Sequence, residues 1–167
     1  MTNYSPDARR FYITDVPRPL VPVYAKQKRE GDTWSGETQP QNAWGLGASA
    51  KRVLVVDDNI DAADALAELF RVLGYAVAVA YGGMTGVQLF REMRPALMLV
   101  DIAMPDMDGY SVARTVRAEG ARETTLVAVT GFGQESDKER TRAAGFDYHL
   151  TKPVDFDTLK EILRKHL

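Results

Sequence analysis

Short runs of aliphatic and β-branched residues alternate five times with segments of helical period in residues 51–167, and this alternation restricts the fold more than any other feature. The runs are Arg52–Val56, Ala76–Ala80, Leu97–Val100, Leu126–Val129 and Tyr148–Leu150. The third run, and the first run after its arginine, are continuously apolar, which is typical of strands buried on both faces of a parallel sheet. Right-handed crossovers between such strands place helices on both faces. The pattern predicts a doubly wound α/β fold with a five-stranded parallel sheet.

The segments between these runs carry apolar residues at helical spacing. Gly74 is expected to end the first helix. Three methionines fall on apolar positions, and we expect Met84, Met93 and Met98 to pack in the core rather than to bind a ligand. The residues predicted to face the sheet are Ala62, Leu66, Leu69, Phe70 and Leu73, then Val87, Phe90 and Met93, then Val112, Ala113 and Val116, then Ala143 and Ala144, and finally Phe156, Leu159, Ile162 and Leu163.

Residues 1–50 differ in composition from the rest and hold five of the eight prolines. Residues 31–50 are rich in Gly, Ser, Thr, Gln and Asn, which is typical of a flexible connector. Residues 10–24 are too apolar for a simple linker, so they are a candidate docking segment. We therefore expect a partly disordered N-terminal extension over residues 1–50 and one domain over residues 51–167.

The composition excludes several classes of function. The 167 residues include no cysteine, so disulfides, thiolate zinc sites and cysteine nucleophiles are excluded. A net charge of −2 provides no basic surface of the kind that nucleic acids bind. The sequence has no apolar run of transmembrane length and no secretory signal. These features predict a cytoplasmic protein with neither DNA nor a membrane as its partner.

Polar residues follow the predicted strands where each strand ends. Asp57 and Asp58 follow the first, Asp101 the third, Thr130 the fourth and Lys152 the fifth. The carboxyl ends of parallel strands share one edge of the sheet, so these residues should converge there. A single aspartate after a strand is commonly a helix cap, but three clustered carboxylates repel one another unless a cation or the lysine compensates them. Oxygen ligands without His or Cys suit Mg²⁺.

Four motifs in this part of the chain resemble those of a known family. V-L-V-V-D-D-N, L-V-D-I-A-M-P-D-M-D-G, V-A-V-T-G and H-L-T-K-P occur in this order within residues 51–167. This part of the chain resembles the receiver domain of two-component response regulators, in the stand-alone, chemotaxis-regulator-like form. The resemblance implies a flavodoxin-like sheet of strand order 2-1-3-4-5 and a cis Lys152–Pro153 bond.

The resemblance also implies a role for each residue at the strand ends. Asp101 would be the phosphoacceptor, taking a phosphoryl group from a sensor histidine kinase or a phosphotransfer protein. The hydroxyl of Thr130 and the ammonium of Lys152 would bind phosphoryl oxygens and act in the switch. The Mg²⁺ ligands would be Asp58, Asp101 and the backbone carbonyl of Ala103, with Asp57 acting through a bound water.

Three positions qualify this resemblance. His149 stands where many receivers carry Tyr or Phe, with Tyr148 one place earlier on the opposite face, so His149 is either a switch residue or an ordinary half-buried histidine. Ala103 and Phe132 lie two positions beyond the phosphoacceptor and the threonine, and neither side chain can orient water, which predicts a long-lived phosphoryl group. Gly109 is expected to have a backbone conformation that other residues avoid.

These observations favour a phosphorylation-dependent signalling switch or phosphorelay carrier over an enzyme. A small aspartyl-phosphate phosphatase is an alternative, but that class expects D-x-D at the first strand, and here the aspartates are adjacent. A nucleotide or flavin module would need a phosphate-binding loop, whereas D-D-N-I-D-A is acidic and lacks glycine. The third alternative is a receiver-like scaffold that acts through its N-terminal tail. No recognised output domain follows Leu167, so DNA binding by an attached effector is not expected.

Overall fold

The computed structural model describes residues 51–131 and 135–167. Residues 1–50, which include the candidate docking segment, and Phe132 lie outside the described residues. None of the helices in the described part of the chain is long and apolar enough to cross a bilayer.

The described chain alternates strand and helix five times, as the sequence predicts. The apolar pattern places the strands correctly but omits the polar end residues Asp101, Thr130 and Thr151, each of which closes its strand. The elements are β1 Arg52–Val56, α1 Ile60–Val72, β2 Ala76–Ala80, α2 Gly83–Met93, β3 Leu97–Asp101, α3 Gly109–Ala118, β4 Thr125–Thr130, α4 Glu135–Ala144, β5 Tyr148–Thr151 and α5 Phe156–His166.

The five strands form one parallel sheet in the order β2-β1-β3-β4-β5, which confirms the predicted order. Val56 of β1 pairs with Val100 of β3, and Asp101 pairs with Val129 of β4. The strand order reverses between β1 and β3, and this reversal opens a crevice outside the carboxyl ends of the strands. The strand order alone therefore forms the crevice in which a site can lie.

The core consists of two apolar clusters, one on each face of the sheet. Leu54 and Val56 join α2, α3 and α4 on one face, and Val53 and Val55 join α1 and α5 on the other. All four of these residues are at most 1% exposed. Alternate residues of one strand thus face different helices, which explains why the run is continuously apolar.

Three predicted core positions are wrong, and one of them is Ala143 on α4, which is exposed although its neighbour Ala144 is buried. Leu73 is 39% exposed because α1 ends at Val72 and Leu73 is its C-cap. Met84 is 61% exposed because the first turn of α2 lies over the loop after β3 rather than over the sheet. Met93 and Met98 are buried as predicted. The spacing of apolar residues does not show which part of a helix extends past the edge of the sheet, where an apolar side chain is exposed.

The sequence predicts an unusual backbone conformation at Gly109, and this prediction is also wrong. Gly109 is not among the glycines with positive φ, whereas Gly74, which ends α1 as expected, has φ +86°. A Cβ at Gly109 would instead overlap the carbonyl oxygen of Asp101 and lie 2.9 Å from Ile102 Cα. Glycine is required there because the start of α3 packs directly on the end of β3.

The Arg117 guanidinium at the end of α3 joins two loops at the amino edge of the sheet. Its Nε donates to the carbonyl of Gly145 at 2.8 Å, and Nη1 donates to those of Ala121 at 2.6 Å and Thr124 at 2.9 Å. Its Nη2 pairs with Asp147 Oδ2 at 2.6 Å. One side chain thereby satisfies carbonyls on both sides of β4.

Candidate functional site

The structure brings together the three aspartates that follow β1 and end β3. Their carboxylate oxygens lie within 4.8 Å of one another. Asp57 is 2% and Asp101 5% exposed, whereas Asp58 is exposed to solvent. The strand order places them together, because β1 and β3 are neighbours and their carboxyl ends meet at the crevice.

Lys152 binds two of these carboxylates. Its Nζ lies 2.9 Å from Asp57 Oδ2 and 2.8 Å from Asp101 Oδ1. Burial lowers the pKa of Lys152, but its hydrogen bonds and Coulomb attraction to Asp101 and Asp57 outweigh burial and raise the pKa above its usual value. The lysine is therefore held in its charged form. The bond between Lys152 and Pro153 is cis, as the resemblance implies.

The turn after β1 shows that the two adjacent aspartates are not helix caps. Asn59 caps α1, since its Oδ1 accepts from Ala62 N at 3.1 Å. Asp57 Oδ1 accepts from the backbone N–H of Asn59 at 2.9 Å and so shapes the turn. Asp57 and Asp58, called the acidic pair below, consequently lie at the crevice and do not cap the helix that follows them.

Thr130 and Ala103 border the same crevice from β4 and from the loop after β3. Thr130 is 5% exposed, and its carbonyl accepts the backbone N–H of Lys152 at 2.8 Å. The backbone N–H of Ala103 donates to Asp101 Oδ2 at 2.9 Å. The ends of β1, β3, β4 and β5 thus supply one continuous polar surface.

The donor set of this site fits a hard divalent cation. Asp57, Asp58 and Asp101 offer only carboxylate oxygens, as Mg²⁺ prefers. Three carboxylates against the single ammonium of Lys152 leave a formal charge of −2. A dication balances that charge, and the exposed Asp58 gives it a path from solvent.

His149 lies on the α4 side of β5, and Tyr148 lies on the α5 side. His149 Nδ1 is 3.3 Å from Thr141 Oγ1, and this hydroxyl already donates to the carbonyl of Lys138 at 2.9 Å. His149 Nε2 is buried, and it has no partner among the described residues. Tyr148 instead bonds His166 through its hydroxyl at 2.8 Å.

One residue near the site was not found from the sequence. Asp106 lies in the β3–α3 loop (residues 102–108), and its Oδ1 and Oδ2 accept the backbone N–H groups of Gly83 and Met84, each at 3.0 Å. Its own motif gives no sign of this contact with α2. The available signal is the pair Gly82-Gly83, because adjacent glycines at a helix start indicate a close approach by another segment.

Comparison with known proteins gives one consistent result. The model of the response regulator receiver domain matches residues 53–164. Regulatory protein AtoC of Escherichia coli is 33% identical over 117 residues, which are 70% of this chain and 25% of AtoC. The chain therefore spans about a quarter of the length of that curated relative.

Two further relatives are covered almost completely. The polar-differentiation response regulator DivK of Brucella ovis is 30% identical over 118 residues, which are 70% of this chain and 96% of DivK. The solved structure of Vibrio cholerae chemotaxis protein CheY4 is 26% identical with a TM-score of 0.67. That alignment covers 71% of this chain and all of CheY4.

Proposed function

Since the chain belongs to the response regulator receiver family, whose members are phosphorylation-dependent signalling switches, we propose that residues 51–167 form a receiver domain whose phosphoacceptor is Asp101. The observation that carries this proposal is the position of the Asp101 carboxylate, at the crevice between Lys152 Nζ and the acidic pair. The donor would be a phosphohistidine on a sensor kinase or a phosphotransfer protein. The extension over residues 1–50 would be a separate part of the chain.

In the proposed reaction a carboxylate oxygen of Asp101 attacks phosphorus in line. The new O–P bond forms as the P–N bond to the donor imidazole breaks, and charge spreads over three phosphoryl oxygens. Lys152 already touches Asp101 at 2.8 Å, so its ammonium can move to a phosphoryl oxygen without leaving the site. The hydroxyl of Thr130, from the neighbouring strand end, would bind a second oxygen.

The proposed Mg²⁺ site uses the same cluster. Asp58, Asp101 and the backbone carbonyl of Ala103 would hold the ion, and Asp57 would act through a bound water because Lys152 and the turn already occupy its oxygens. The ion supplies positive charge to neutralise the phosphoryl oxygens. Asp57 and Lys152 meanwhile keep the phosphoacceptor oriented.

The alternative functions receive less support. A phosphatase would need a second acid or base beside the nucleophile, and Asp57 is committed to an ion pair with Lys152. Ala103 offers only a methyl group two positions beyond Asp101, so it cannot orient an attacking water. A long-lived phosphoryl group is therefore part of the proposal. Its structural support comes from Ala103, since Phe132, the second residue predicted to prolong the lifetime, lies outside the described residues.

His149 is proposed as the switch residue. Its buried Nε2 has no partner among the described residues, and this costs free energy in the unphosphorylated state, of about 1 kcal/mol or more for a buried polar group. A state that gives Nε2 a partner is favoured by that amount. Because the ring is bonded to Thr141, a change in the ring moves α4 with β5, which makes the face formed by α4, β5 and α5 the expected output surface.

We expect a phosphoryl mimic to change amide exchange mainly within residues 131–153, by about tenfold at the affected amides. In Thr141→Val the response of α4 should shrink, because valine cannot form the hydrogen bond with His149. Thr115→Val is the matched control, since Thr115 Oγ1 donates to the carbonyl of Ser111 within the same helix, α3, at 2.8 Å. Exchange changes confined to α1 and α2 would contradict the proposed output face.

The proposed function is tested by incubating the full chain with a small acyl-phosphate donor across a magnesium titration. We expect one phosphoryl group per chain, mapped by peptide mass spectrometry to Asp101, and no uptake in a chelator. Asp58→Asn should need about tenfold more Mg²⁺ for half-maximal uptake, because it loses a proposed ligand.

Asp61→Asn provides the control, because Asp61 is an exposed acid in the first turn of α1 and lies outside the cluster. Its magnesium dependence should equal that of the parent. Equal magnesium dependence in Asp58→Asn and the parent would reject the metal assignment, and a label on another residue would reject the phosphoacceptor.

A further inference from the structure

The β3–α3 loop is held by a hydrogen bond at each of its ends. At its start, the backbone N–H of Ile102 donates to the carbonyl of Val129 at 3.1 Å. At its end, Asp108 caps α3 by accepting from Ser111 N at 2.7 Å. Neither contact reaches α2, and a third contact joins the middle of the loop to that helix by hydrogen bonds.

That third contact is made by Asp106. Both carboxylate oxygens accept backbone N–H groups of the first turn of α2, at 3.0 Å each. Burial raises the pKa of Asp106, but the backbone hydrogen bonds outweigh it and hold the pKa below its usual value. The carboxylate is therefore ionised and carries both bonds at neutral pH.

Two glycines of α2 match this contact. Gly82, the N-cap of α2, has no side chain to cap the helix, and a Cβ there would lie 2.9 Å from Asp106 Oδ2. A Cβ at Gly83 would overlap the carbonyl oxygen of Met107. The two glycines thus allow the loop to approach the first turn of α2, and Asp106 caps the helix in place of an N-cap side chain.

The contact bears on the site through the two residues that separate Asp106 from Ala103. These are Met104 and Pro105, and Pro105 has a fixed φ, so the backbone between the two positions has little freedom. The N–H of Ala103 bonds the phosphoacceptor at 2.9 Å. A displacement at Asp106 is therefore transmitted to the backbone at Ala103.

We propose that Asp106 is a positioning residue for the phosphorylation site, which holds the backbone of Ala103 against Asp101 by tying the β3–α3 loop to the first turn of α2. This inference rests on the proposed function for the identity of the reaction. Asp106 itself touches neither the phosphoacceptor nor the acidic pair, and it acts through the position of the loop.

The test compares Asp106→Ala and Asp106→Asn with the parent in amide exchange and in magnesium titration of phosphoryl uptake. Asp106→Ala should accelerate exchange of the Ala103 amide at least tenfold and raise the Mg²⁺ needed for half-maximal uptake by about tenfold. Asp106→Asn keeps one acceptor oxygen and should recover part of both effects. Asp155→Ala, which removes an equivalent aspartate cap from α5, should change neither.

The outcomes separate the two proposals. Faster exchange in α2 with an unchanged Ala103 amide and unchanged magnesium dependence would make Asp106 a helix cap only, and would overturn the positioning role. A parent chain without phosphoryl uptake would overturn the proposed function, and the Ala103 amide would still decide whether Asp106 holds the loop.

Discussion

Asp101→Asn is expected to abolish phosphoryl uptake from an acyl-phosphate donor, to below one hundredth of the parental amount. The amide matches the shape of the carboxylate but is far less nucleophilic, so the O–P bond does not form. The folded state should survive, because Lys152 keeps its ion pair with Asp57 at 2.9 Å and one like charge leaves the cluster. Intact mass before and after treatment measures the loss.

The matched control for this variant is Asp108→Asn. Asp108 belongs to the same loop motif but caps α3 at the surface, so its variant should take up the phosphoryl group like the parent. Uptake by Asp101→Asn at the parental level, at Asp58 or elsewhere, would show that the carboxylate at the end of β3 is not the acceptor.

Arg117→Met should lower the free energy of unfolding by about 3–4 kcal/mol, the largest effect on stability that we expect from one polar side chain here. The methionine keeps most of the apolar stem but removes the donors to the carbonyls of Ala121, Thr124 and Gly145. It also leaves Asp147 without its cation. Urea unfolding, followed by circular dichroism, measures the change.

Arg114→Met controls for the loss of a positive charge on α3. Arg114 is exposed, and its hydrogen bond within the described chain goes to Ser111 Oγ in the preceding turn, at 3.1 Å, so its variant should change stability by less than about 0.5 kcal/mol. A loss of similar size in the two variants would mean that Arg117 contributes charge and helix propensity, and that its link between the loops is unimportant.

The fold could be predicted from the sequence because strands and helices are each marked by a local pattern of apolar residues. The apolar run of β1 and the stripe on α3 can each be seen in a short window, and parallel strands with right-handed crossovers leave few arrangements. Asp57, Asp101 and Lys152 could be placed together for the same reason, since each stands where a strand ends.

The contacts that the sequence did not reveal join distant segments through exposed or half-buried polar side chains. Asp106 bonds a residue 23 positions away, and Arg117 bonds one 30 positions away. No periodicity marks such pairs, because each depends on how two loops meet after the sheet has formed. Met84 was misplaced for a related reason, since its exposure depends on the loop beneath it and not on its own helix.

The ion pair between Asp57 and Lys152 joins residues 95 positions apart, one after the first strand and one after the last. During synthesis the acidic pair and Asp101 therefore exist before the lysine that compensates them, and before β5 completes the edge of the sheet. A nascent or truncated chain presents these carboxylates without the cation that compensates them. A ligand that needs both the carboxylates and the lysine binds the folded state alone and so stabilises it by mass action. The completed site is therefore a property of the whole domain from β1 to β5.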